Sequence, residues 1–433
     1  MTSEALALIN LRQILTMAGP AGPRRGAEMR ELGLIEAGAI LIRDGRILAV
    51  GPTPAIVRDV DPREFRVIDF RDWPAVILPG FVDSHTHPAF WGTREDEYEL
   101  RILGASYEEI AAKGGGILNS ARRVQQATLE QITANVVRFG RLFLAHGTTT
   151  IEAKSGYGLS PDGELKLLRA IAAARGLLPL DMVPTFLGAH AYPLEFRQNH
   201  RGYLDQIIGQ MLPAVAGERL ARYVDVFCDQ GFFSVAEARE IIMAARRFGL
   251  KARLHADELA AVGAAELAAE VGAVSADHLE RISPAGIAAM ADRGVIAGLL
   301  PGTAFNLGLD TYPPARALID AGVPVALATD FNPGTCFTPN MQLVIAVACS
   351  QMRLTPAEAL VAATVNGACA LELEHDRGTL EPGKRADLAV MACANYRQIP
   401  YLFGVNHCVE TFVQGRPVRA LAGFGDRTCP AET

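Results

Sequence analysis

The chain alternates short apolar runs with amphipathic stretches, and the two periods predict different elements. Runs of β type centre on Ile77–Asp83, Thr149–Ala153, Met182–Leu187, Val224–Phe227, Ala252–Leu254, Ala273–Ala276, Val295–Leu299 and Pro324–Ala328. Between them lie helical patterns rich in Ala, Leu, Glu and Arg, the clearest over Glu164–Ala174, Val235–Phe248, Ala260–Val271 and Met341–Met352. Continuous apolar strands alternating with helices are what a parallel sheet covered on both faces requires. Eight such units over about 300 residues predict an α/β fold, a (β/α)₈ barrel of the TIM type, with functional groups at the C-terminal ends of the strands. The competing architecture is an open doubly wound sheet, but no Gly-x-Gly-x-x-Gly fingerprint follows an early strand.

Both ends of the chain read as β-rich. Ala39–Arg43 and Arg46–Val50 flank Asp44-Gly45, a favoured hairpin turn. Near the other end Pro382-Gly383 precedes Ala386–Val390, and the run Val409–Val418 contains a Gln414-Gly415 turn. The first and last strands of a closed barrel are neighbours, so these ends are expected to meet. The expected division is a small β-rich domain over 1–76, the barrel over 77–372, and the rest of the small domain, a discontinuous β-sandwich, over 373–433.

Composition narrows the function. Half of the 433 residues are hydrophobic, which favours a large buried core; a charged fraction of 21% and a net charge of −7 give no reason to expect nucleic acid or an anionic membrane as partner. A small molecule is the expected partner. The seven cysteines, Cys228, Cys336, Cys349, Cys369, Cys393, Cys408 and Cys429, are odd in number and scattered, as for reduced thiols in a cytoplasm. The apolar opening, Ala5 to Met17, is preceded by Glu4, interrupted by Arg12 and followed by no cleavage signal, so no export segment is expected. No run approaches the roughly 18 apolar residues of a membrane-spanning helix.

The informative polar residues sit just past the strand cores. His85 and His87 follow the first strand, and residues two apart in extended chain project to one side, where both imidazoles can meet one ion. His255 ends the fifth strand, His278 the sixth, and Asp330 the eighth. A lone histidine is ordinarily a hydrogen-bonded core or surface residue; recurrence at one height of the barrel is what favours a metal centre. Imidazole with carboxylate suits zinc or iron rather than magnesium or calcium. Glu258, three residues past His255, is placed either to shuttle a proton or simply to complement a helix dipole. Lys154 reads as a carboxylated bridging ligand or an anchor, and no metal is assigned to it. Arg94, Tyr157 and His190 lie on loops after strands and could cradle a substrate carboxylate or carbonyl, although Arg94 could equally pair with Glu95 and Asp96. Asn332-Pro333-Gly334-Thr335 could form an anion-binding nest or a plain turn.

Pro79-Gly80-Phe81-Val82-Asp83-Ser84-His85-Thr86-His87 resembles the opening metal motif of the amidohydrolase superfamily. Within it, Lys154–Gly158, Phe186–His190, His255-Ala256-Asp257-Glu258, Ser275–Leu279, Leu300-Pro301-Gly302-Thr303 and Ala328–Gly334 together resemble the imidazolonepropionase family, over roughly residues 35 to 418. That resemblance implies one zinc or iron ion per subunit held by His85, His87, His255 and Asp330, with His278 nearby. It implies Glu258, His278 and Asp330 as catalytic groups, and Arg94, Tyr107, Tyr157, His190, Glu258, Asn332, Gly334 and Thr335 as contacts to substrate. The implied substrate is 4-imidazolone-5-propanoate, opened to N-formimidoyl-L-glutamate in histidine degradation by a cytoplasmic enzyme, with a homodimer as the expected assembly. Two alternatives stay open: an aminohydrolase acting on a purine, pyrimidine or similar ring, and a barrel retained as a non-catalytic binding protein.

Overall fold

The computed structural model describes residues 5–418 apart from 59, 62, 106–108 and 110–114. Five strands open the chain: β1 (Leu6–Leu15), β2 (Leu34–Arg43), β3 (Arg46–Pro52), β4 (Arg66–Asp69) and β5 (Val76–Pro79). The apolar opening segment is thus a strand, and β1 lies centrally, pairing with β2, β4 and β5. The predicted hairpin forms as β2 and β3, with Asp44 at φ 55° and Gly45 at φ 75°, the left-handed pair that such a turn requires.

Eight parallel strands follow: β6 (Phe81–Asp83), β7 (Thr148–Lys154), β8 (Asp181–Ala189), β9 (Tyr223–Cys228), β10 (Lys251–Ala256), β11 (Ser275–His278), β12 (Ile296–Leu299) and β13 (Val325–Leu327). They form a near-closed barrel. The seam between β6 and β13 is held past the strand ends, where Asp330 N–H donates to His85 O at 3.1 Å and His87 N–H to Phe331 O at 2.8 Å. Asp83 closes the seam lower down, accepting from the Thr329 backbone at 3.0 Å and its hydroxyl at 2.6 Å.

The chain then returns to the first sheet as β14 (Leu388–Met391), β15 (Cys408–Val413) and β16 (Arg416–Pro417). β14 pairs antiparallel with β5, so the two ends of the chain build one sheet beside the barrel. That sheet has its own core, in which Leu8, Leu11, Ile14, Ile40, Ile77 and Leu388 are fully buried.

The run read as one strand over Ile77–Asp83 is two strands in different sheets, and Gly80 is where they part. Gly80 N–H bonds Asp387 O in the small sheet, while Phe81 N–H bonds Gly147 O in the barrel. A Cβ at Gly80 would lie 2.3 Å from Thr149 Cγ2, so the crossing needs glycine's missing side chain. Of the helices, the one expected over Ala260–Val271 begins only at Ala264. Its start is set by Gly263, left-handed at φ 88°, and by Asp257, which accepts from the backbone N–H groups of Val262, Gly263, Ala264 and Ala265 at 2.9, 3.1, 3.2 and 2.9 Å.

Candidate active site

Strand alternation places Glu152 and Lys154 of β7, Asp225 and Phe227 of β9, Arg253 and His255 of β10, and Asp277 of β11 on the inner side of the barrel. Where barrels usually stack branched aliphatic side chains, this one carries a fully buried ion layer. Lys154 Nζ donates to Glu152 at 2.8 Å and to Asp225 at 2.6 Å. Arg253 pairs with Glu152 at 3.0 Å and Asp277 at 3.2 Å, and donates to the Ala370 and Ser84 carbonyls at 2.6 and 2.7 Å. Lys154 is therefore an ion-paired anchor. Removing one partner from such a set strands the others: Lys154→Met leaves two buried carboxylates without their shared cation. It is expected to cost about 3–5 kcal/mol of stability by denaturant unfolding, whereas a loss below about 1 kcal/mol would mean the layer relaxes without it.

The ion layer fixes the imidazoles above it. His85 Nδ1 lies 2.8 Å from Asp277 and His255 Nδ1 lies 3.1 Å from Asp225. A carboxylate only accepts, so both Nδ1 atoms carry the proton and both Nε2 atoms keep the lone pair that a metal needs. His85 and His87 bring their Nε2 atoms within 3.3 Å, and Asp330 Oδ1 sits 3.6 and 3.4 Å from them. Two overlapping triads have ligand atoms close enough to share an ion: His85, His87 and Asp330, and His85, His255 and His278. The His85–His255 and His87–His255 ring centres are 4.5 and 5.4 Å apart, so the residues expected from sequence do converge.

Burial holds the His85 imidazole far below its ordinary range, with the Lys154 cation acting in the same direction. Burial also lowers His87, His255 and His190, so the cluster presents neutral rings. Burial works upward on Asp330, but the His87 hydrogen bond and the His278 charge bring it down to about 2.

His278 is the exception. Its neighbour Asp277 faces the barrel interior, so alternation alone would turn His278 outward. Left-handed backbone at His278 (φ 79°) and Leu279 (φ 72°) swings it back over the site, conformations that non-glycine residues rarely adopt. Its Nδ1 comes to 3.7 Å from Glu258 and 3.8 Å from Glu280. Burial disfavours its charge, yet the Glu258 and Glu280 carboxylates raise it to about 10; burial pushes Glu258 itself up to about 7. The site thus holds an imidazolium beside a carboxyl of raised basicity.

On the outer side, His190 stacks on His87 at 5.3 Å and fixes its Nδ1 on Gly156 O at 2.8 Å; Tyr157 packs 5.2 Å from His190. Glu164, buried, folds the Tyr157 loop by accepting from the N–H groups of Gly156, Gly158 and Leu159 at 2.9, 2.7 and 2.9 Å. Arg94 is held by Glu97 at 3.0 Å rather than by Glu95 or Asp96, and its guanidinium lies against Gly334, where a Cβ would meet Nη2 at 2.5 Å. The segment read as a nest or a turn is a turn: the N–H groups of Gly334 and Thr335 both donate to Asn332 Oδ1, at 2.8 and 2.7 Å. Tyr107 lies outside the described residues.

Sequence reasoning missed Glu152, Asp225, Arg253 and Asp277. The available signal was charges of both signs in the middle of otherwise apolar strands, which a parallel barrel can accommodate only by pairing them inside.

A parallel barrel with imidazoles and carboxylates converging at the C-terminal strand ends is the architecture of the amidohydrolases, and the profile described as "Amidohydrolase family" matches residues 95–419. The chain is 49% identical over 412 residues to the imidazolonepropionase of Solibacter usitatus, covering 95% of this chain and 98% of that one, and 48% identical to that of Geobacillus thermodenitrificans, covering 93% and 95%. It belongs to the imidazolonepropionase family of amidohydrolases. Similar solved structures include a zinc-bound adenosine deaminase from Xanthomonas campestris (TM-score 0.69, 20% identity, covering 95% and 92%) and E. coli guanine deaminase (TM-score 0.70, 18%, covering 96% and 99%). At that identity the likeness is one of fold. No helix among the described residues is long and apolar enough to cross a membrane.

Proposed function

We propose that this chain hydrolyses the ring amide of 4-imidazolone-5-propanoate to N-formimidoyl-L-glutamate, the imidazolonepropionase reaction of L-histidine degradation. The observation that carries the reading is near-half identity to imidazolonepropionases sustained over almost the whole chain. The histidine and aspartate cluster at the strand ends supports it.

The donor set fits one divalent ion, zinc or iron: two imidazoles are locked with Nε2 lone pairs available, and Asp330 offers an ionised oxygen. We assign His85, His87, His255 and Asp330 as its ligands. When bound, the ion supplies Lewis acidity that lowers the pKa of a water from about 16 to about 7. Glu258, raised by burial, accepts or relays the proton that the attacking water loses, with Asp330 beside it. His278, held cationic by its two carboxylates, donates to the carbonyl oxygen as charge develops there, a role that depends on the fixed geometry its backbone imposes. Arg94, Tyr157 and His190 contact and orient the substrate together with Asn332, Gly334 and Thr335, and Gly334 packs against the Arg94 guanidinium. Tyr107 belongs to the same proposed contact set. A cytoplasmic location is consistent with the six described cysteines all being unpaired, and a homodimer is the proposed assembly.

The test is a substrate panel that follows ring absorbance and ammonia together. Opening of imidazolone propionate with no ammonia released is the expected result. Ammonia from a purine or pyrimidine, with imidazolone propionate untouched, would reassign the chain to the aminohydrolases.

A further inference from the structure

Asp330 is restrained at nearly every polar atom, and the restraint on its side chain comes from a residue to which no role has been given above. Its N–H donates to His85 O at 3.1 Å and its carbonyl accepts from Asn332 Nδ2 at 2.7 Å, with the backbone in the left-handed region at φ 52°. Within the carboxylate, Oδ1 faces the Nε2 atoms of His85 and His87, while Oδ2 accepts the Thr303 hydroxyl at 2.6 Å. A buried hydrogen bond to an ionised oxygen is of the short, strong class.

Thr303 is itself held. It lies 2% exposed in the helix Pro301–Leu307 that follows β12. The turn before it presses on Cys336, since a Cβ on Gly302 would meet Cys336 Sγ at 2.7 Å. Cys336 is buried, and burial keeps its thiol protonated. The hydroxyl is therefore delivered from a rigid element.

We propose that Thr303 is a positioning residue: by occupying Oδ2 it leaves Oδ1 alone to face the imidazoles, and so sets Asp330 to bind the ion through one oxygen. Without that bond the carboxylate can rotate and offer both oxygens, and the arrangement of His85, His87 and His255 around a common point is no longer matched by the acid. The inference rests on the assignment of Asp330 as a ligand.

The test strips the full-length protein of metal and titrates zinc back against a chromogenic chelator for wild type, Thr303→Val, Thr303→Ser and Asp330→Asn. Thr303→Val, which keeps the shape and removes the hydroxyl, is expected to weaken zinc binding by about 10–100-fold, the usual range for losing such a partner. Thr303→Ser is expected to restore affinity to within about 3-fold, because it returns the donor. Circular dichroism should show the metal-free valine and serine variants both folded, so that the difference in zinc affinity between them reports the hydroxyl and not a loss of the fold. If Thr303→Val fails to fold, Thr303→Ala reports on the same scale. Wild-type zinc affinity in Thr303→Val, with zinc lost from Asp330→Asn, overturns the proposal and leaves the ligand assignment standing. Loss in Thr303→Ser equal to that in Thr303→Val overturns it too, since the methyl would then be what matters. Undiminished zinc binding by Asp330→Asn brings down the ligand assignment and the inference together.

Discussion

Replacing His255 by alanine is expected to empty the metal site at stoichiometric metal and to lower turnover with it. The substitution removes an imidazole whose Nδ1 is pinned 3.1 Å from Asp225, whose ring centre is 4.5 Å from that of His85, and whose Nε2 is thereby fixed toward the cluster. The remaining assigned donors, His85, His87 and Asp330, form a triad with ligand atoms mutually close, so a weakly held ion can persist at high metal concentration. At stoichiometric metal the site should be largely empty and kcat should fall by at least about 10³-fold, or about 4 kcal/mol of transition-state stabilisation. Asp225 keeps its Lys154 partner at 2.6 Å, so the fold should survive the change. Elemental analysis after dialysis, with circular dichroism as the folding control, decides the matter. A folded His255→Ala protein with full metal content and activity would show that the ligands have been misassigned.

The second large effect is expected from Glu258→Gln. The amide is nearly isosteric, and Glu258's backbone remains tied to Asp229 at 2.7 Å, so metal content should not change. Turnover should fall by about 10²–10⁴-fold if the carboxylate moves the proton in the rate-limiting step. The pH profile provides an independent reading. Burial raises Glu258 to about 7, and a proton acceptor is competent only when deprotonated; kcat/KM of the wild type should therefore rise with pH through neutrality. That limb should be absent from the glutamine variant. Equal turnover in the two proteins, or an unaltered limb, would remove Glu258 from proton transfer.

Why the sequence pointed to the site is clear from its residues. His85, His87, His255, His278 and Asp330 each follow an apolar strand core, and in a barrel that local fact alone assigns them to one end of the molecule. The same holds for Asp44-Gly45 and Gln414-Gly415, whose left-handed turns depend on residues adjacent in sequence. Lys154 is ambiguous in sequence because its partner Asp225 lies 71 residues away, and its other partner Glu152, two residues off on the same strand face, would suit an ion pair and a metal site equally.

Sequence by itself determined the alternation of strands and helices, the hairpin turns and the level of the barrel at which the chemistry lies, because periodicity and turn chemistry act over a few residues. Tertiary structure decided the rest. Gly80 splits a continuous apolar run between two sheets only because Thr149 and Asp387 approach it from different sides. His278 faces the site only because two left-handed residues reverse the parity of its strand. The tautomers of His85 and His255 follow from a buried layer of charges drawn from β7, β9, β10 and β11, which must balance one another across the barrel because their side chains are fully buried. Apart from Glu152 with Lys154, that pairing joins different strands and is a property of the barrel, which no single stretch of sequence contains.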